Sequence, residues 1–181
     1  MTTLFDKCVD EVIGIEGAYS NNPNDSGGET MWGITIAVAR AHGYQGSMRS
    51  MSKDIAKMIY RDRFWDSQML DQISVVSERI AYEMFDTGIN QGVAAAGKYL
   101  QRALNVLNQQ GSFYPDIQVD GRIGPMTVAS LKEYFKRRPD QGVVVLLRAL
   151  NCLQGEFYIG LAEARAKDED FIYGWLLRRV T

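Results

Sequence analysis

Residues 16–30 read EGAYSNNPNDSGGET, an apolar helical run that ends on a carboxylate and opens into a loop of turn-formers carrying a second one. Upstream, Leu4/Phe5, Cys8/Val9 and Val12/Ile13 recur at spacings of three and four, the period of an amphipathic helix. Glu16 falls four positions after Val12 and eight after Cys8, so it continues the apolar stripe. Partial desolvation there favours the protonated acid, and the negative end of the helix dipole acts in the same direction. Both raise the pKa, as a general acid working near neutrality requires. Two plainer readings stay open: a buried Glu satisfied by hydrogen bonds, or a helix-end Glu turned to solvent.

The loop bears on that choice. Gly17 is a natural helix stop, Ser20 to Asn24 let the chain reverse, and Gly27-Gly28 let backbone approach backbone. The reversal is expected to return Asp25 and Thr30 to face Glu16 across a groove. Glycosidic cleavage needs that set: one carboxyl to protonate the leaving oxygen, and a second polar group to orient water or steady the cation-like transition state.

Farther out the chain reads as nearly all helix. Ser52 and Ser77 are good N-caps, Gly124-Pro125 opens another helix, and Asp140 is expected to cap a long apolar one through Phe157. Gly33 to Ala41 suits strand or helix by composition, and a small β-hairpin fits between Gly27 and Ile36. The fold class is therefore mainly α, in two lobes joined between residues 90 and 118. Cys8 and Cys152 both sit in apolar helical runs and are expected as buried thiols without a disulfide.

Charge and motif content narrow the chemistry. Residues 1–97 carry 8 Lys/Arg against 13 Asp/Glu and residues 98–181 carry 12 against 9, too even for a nucleic-acid face. Charges at Asp6, Lys7, Asp10 and Glu11 interrupt the N-terminal apolar run, so neither a signal peptide nor a membrane span is read there. The single histidine, His42, has no metal-ligand spacing around it, so no metal or cofactor is expected.

EGAYSNNPNDSGGETMWGIT resembles the N-terminal signature of glycoside hydrolase family 108, peptidoglycan muramidases of phage endolysins and bacterial toxin-secretion loci. The similarity continues through IYRDRFWD (59–66) and FDTGINQG (85–92), and VDGRIGPMT (119–127) resembles the family's peptidoglycan-binding C-terminal region. Ala18 stands where the family more usually has a second glycine. The resemblance implies a lysozyme-like helical catalytic lobe, residues 1–92, and a helical peptidoglycan-binding lobe, residues 93–181. It implies Glu16 as the catalytic acid, with Asp25 and Thr30 as its helpers. The partner implied is the glycan strand of the wall. The chain is expected to act as a monomer, made in the cytoplasm and working in the periplasm or cell wall.

Tyr19, Trp32 and Tyr44 offer flat faces to sugar rings or to the core. Asn90 and Gln91 offer amides to an acetamido group or to local capping, and Asp86, one turn before Asn90, is its candidate structural partner. Two other functions stay open: a lytic transglycosylase, which also works with one Glu, and a non-catalytic peptidoglycan-binding secretion accessory.

Overall fold

A computed structural model of the chain describes residues 2–16, 19–21 and 28–180, with the side chains of Ile15 and Glu16 outside that description. The fold is mainly helical with one small antiparallel sheet, as expected. The chain packs as two compact units, residues 1–67 and 68–181.

In the first unit, helix α1 spans Leu4–Glu16. Thr3 and Asp6 cap it reciprocally: Asp6 N donates to Thr3 Oγ1 (3.1 Å) and Thr3 N to Asp6 Oδ2 (3.0 Å). Its apolar stripe buries Phe5, Cys8, Val9 and Ile13. Phe5 meets Trp65 edge-on at 5.3 Å. Helix α3, Lys53–Tyr60, begins at Ser52, whose hydroxyl accepts from Ile55 N, and Lys57 pairs with Asp10 of α1 at 2.8 Å. The helix continues through one π turn, Arg61–Trp65. That turn leaves Trp65 almost fully buried.

Three two-residue strands, β1 Tyr19–Ser20, β2 Thr30–Met31 and β3 Ile34–Thr35, pair antiparallel in chain order. Trp32 (φ 55°) and Gly33 (φ 78°) join β2 to β3. A two-residue hairpin wants left-handed residues at both positions, and tryptophan there is strained by about 1–3 kcal/mol. Tertiary bonds hold it: Trp32 Nε1 donates to Met51 O (2.8 Å), and Tyr60 Oη donates to Trp32 O (3.1 Å). The ambiguous Gly33–Ala41 segment resolves into both structures. Thr35 ends β3 and its hydroxyl accepts from Val38 N, capping α2, Ile36–Ala41.

The second unit holds α4 Leu70–Val76, α5 Glu78–Gln91, α6 Val93–Leu107, α7 Pro125–Arg137, α8 Gly142–Ala164 and α9 Glu169–Arg179. Ser77 caps α5 as expected, and Pro125 opens α7. Asp140 does not cap α8. Gln141 occupies the N-cap position and makes no side-chain cap. Separately, Tyr134 Oη donates to the carbonyl of Gly142, the first residue of α8 (2.8 Å). One of the two thiols expected to be buried is not. Cys8 is buried, but Cys152 is exposed. Helix α8 is apolar on its outer side too, where Val144, Val145 and Ile159 are exposed, so periodicity does not reveal which face is inside. By length and hydropathy α8 would also suffice to cross a membrane; here its inner face packs Leu146, Leu150, Gln154 and Tyr158 inside the unit.

The long connection after α6 is pinned by amides on one face of that helix. Gln101 Nε2 donates to Asp120 Oδ1 (2.9 Å) and Arg122 O (3.0 Å), while its Oε1 accepts from Gly121 N (2.8 Å). One turn on, Asn105 exchanges two bonds with the Ile117 backbone, and Asn108 Nδ2 donates to Asp116 Oδ1. The VDGR turn is thus a backbone segment stapled to α6.

Candidate functional site

Helix α1 delivers Glu16 as its last residue. The carboxyl of Glu16 and the whole of Asp25 lie outside the described residues. The chain reversal expected between them is present in its two flanks. Tyr19 pairs with Met31 and Ser20 with Thr30, so β1 and β2 run antiparallel side by side. Thr30 sits half-buried on the middle strand, between Ser20 and Thr35.

The aromatic candidates divide. Tyr19 and Trp32 belong to the hairpin. Tyr19 Oη donates to Glu29 Oε1 at 2.7 Å, and the Arg49 guanidinium stands 4.0 Å from the centre of its ring. Trp32 is half-buried under Lys53, whose ammonium lies 5.0 Å from the indole centre. Tyr44 lies on the loop after α2, with its hydroxyl donated to Ser47 O (2.9 Å) and Arg40 beside its ring. Glu29 and Arg49 escape a reading of the chain because neither follows a periodic stripe. The only signal for Glu29 is its place between Gly28 and Thr30.

Asn90 and Gln91 belong to the second unit, where their amides are engaged. Asn90 Nδ2 donates to the carbonyl (2.8 Å) and the carboxylate (3.1 Å) of Asp86, the structural pair anticipated from their spacing. Gln91 donates to Gln154 O (3.3 Å) and accepts from Tyr99 Oη (2.9 Å). Around them runs a polar network that the chain alone does not disclose. Arg179 of α9 donates to Asp86 at 2.7 Å. Gln154 of α8 donates to Asp86 (3.3 Å) and Thr87 (3.0 Å), and Thr87 donates to Glu83 (3.2 Å).

Burial raises the Asp86 pKa, against the opposing pull of Arg179, Gln154 and Asn90. Glu83 is pushed up to about 7, first by burial and then by the Asp86 charge. An acid whose folded pKa is raised contributes stability below its unfolded value, 4.5, and that contribution is lost as pH rises through about 7. We expect wild type to lose about 2–3 kcal/mol of unfolding free energy between pH 5 and 8 relative to Glu83→Gln. Urea unfolding of both at the two pH values checks this; parallel pH dependences would refute it.

Residues 9–92 match the family model described as Glycosyl hydrolase 108, and residues 95–180 match the model described as Predicted Peptidoglycan domain. The fold is similar to the solved structure of Brucella abortus SagA, with a TM-score of 0.69 and 26% sequence identity. That similarity covers 97% of this chain and 90% of the other. Among curated proteins none matches significantly.

Proposed function

We propose that this chain, which belongs to glycosyl hydrolase family 108 and is a glycoside hydrolase acting on peptidoglycan, is an N-acetylmuramidase of the lysozyme type. It cleaves the β-1,4 bond between N-acetylmuramic acid and N-acetylglucosamine, opening the wall for lysis or for release of a toxin. The observation that supports the reading is the hairpin: Ser20, four residues after Glu16, pairs with Thr30, five residues after Asp25.

In this reading the Glu16 carboxyl gives its proton to the glycosidic oxygen as the bond to C1 of muramic acid breaks. Water adds its hydroxide to C1, and its remaining proton restores the acid. Asp25 and Thr30 orient that water or steady the positive charge growing on the ring. Tyr19 and Trp32 present ring faces to the sugars. Tyr44 offers a ring face in the same way, its polar group being bonded like those of the other two, while the amides of Asn90 and Gln91 donate within the second unit.

The functional division falls at 92/93, with the hydrolase before it and wall binding after it. Packing divides the chain elsewhere, at 67/68, so α5 belongs to the hydrolase stretch yet is built into the second unit.

The test is digestion of purified peptidoglycan with product masses read out. Reducing muramic acid ends are expected. 1,6-Anhydromuramic ends would make the enzyme a lytic transglycosylase, and binding without soluble muropeptides would make it an accessory protein.

A further inference from the structure

We propose that Glu29 is a positioning residue for the proton donor, acting through its hydrogen bond to Tyr19 with Arg49 clamped on the ring. The proposal rests on Glu16 being the acid.

Strands of two residues have little pairing of their own, and two such pairs hold this sheet together. Strand β1 therefore needs another anchor, and Glu29 supplies it. Its side chain accepts from Tyr19 Oη at 2.7 Å, the length of a charge-assisted bond. Its carbonyl accepts from Ile36 N, the first residue of α2, at 2.8 Å. Glu29 thus ties β1, three residues past the acid, to the start of α2 and to its own neighbour Thr30. Arg49 lies face-on to the Tyr19 ring at 4.0 Å, which fixes the ring plane and places a cation beside the Glu29–phenol pair. The bond to Glu29 is also the main cause that raises the Tyr19 pKa, so the phenol stays a donor throughout the neutral range.

A tie of this kind serves catalysis if a small displacement of the acid matters, and displacements near 1 Å can cost about 100-fold. A bond that served only the fold would lower stability and leave turnover alone. Steady-state kinetics on soluble glycan chains would be measured for wild type, Tyr19→Phe, Glu29→Gln, the double variant and Glu16→Gln, each with a thermal melt. Tyr19→Phe removes one hydroxyl and keeps the ring under Arg49, so it remains informative if Glu29→Gln folds poorly. We expect each single variant to lose about 10–100-fold in kcat with KM changed less than about threefold. The double variant should be no worse than the poorer single one, because both break one bond.

Turnover of Tyr19→Phe within twofold of wild type, or losses that multiply in the double variant, would overturn the proposal. Glu16→Gln separates the two failures. An inactive Glu16→Gln beside a fully active Tyr19→Phe removes only the positioning role. An active Glu16→Gln removes the acid assignment, and the positioning role falls with it.

Discussion

Glu16→Gln is expected to fold as wild type and to lose about 10²–10⁴-fold in kcat on peptidoglycan, the range a positioned general acid contributes. The glutamine has the same shape and can still hydrogen-bond, but it has no proton to give to the departing oxygen. The position ends α1 and the exchange conserves side-chain size there, so the buried stripe of Phe5, Cys8, Val9 and Ile13 is expected to stay packed. A melt within a few degrees of wild type would show an intact fold, and soluble muropeptides counted over time give the rate. Near wild-type turnover in a folded Glu16→Gln would sink the assignment.

The largest expected effect on stability lies far from that residue, at Gly97. A Cβ on Gly97 would stand 2.3 Å from the Gly121 carbonyl oxygen, and one on Gly121 would stand 2.6 Å from the Ala94 oxygen. The obstructing atoms are backbone, held by Gln101 to Gly121 N and Arg122 O, so no side chain can swing aside. Gly97→Val must push the VDGR turn off α6 and break the Gln101 staple. We expect a loss of about 3 kcal/mol or more, seen as a Tm lower by about 6–12 °C. Asn105→Ala breaks the neighbouring staple without a collision and should cost less. If Gly97→Val melts within 2 °C of wild type, the close approach of turn and helix is wrong.

The glycines illustrate where a chain can be read and where it cannot. VDGRIGPMT is legible as a turn followed by a proline-started helix, because Asp-Gly and Gly-Pro act on their own backbone. That Gly121 meets Gly97 is a fact about two segments 24 residues apart, and no periodicity carries it. The same holds for Glu83, an ordinary helical glutamate by position. Burial between α5 and α8, with Asp86 nearby, is what lifts its pKa. Asp140 illustrates the opposite risk, since the residue type favours a cap but the helix begins one position later, at a carbonyl held by Tyr134.

The helices, their caps at Ser52 and Ser77, the antiparallel return from Ser20 to Thr30 and the resemblance to the family all follow from local order along the chain. Helical periodicity, capping and turn chemistry act over a few residues, so the chain states them directly. The left-handed Trp32, the Tyr19–Glu29 tie, the amide staple of α6 and the Glu83–Asp86–Arg179 network come from folding alone. Each joins groups 8 to 93 residues apart or depends on water being excluded around them. Desolvation and distance are properties of the folded molecule, and they set which carboxylates are anchored and which have their pKa raised.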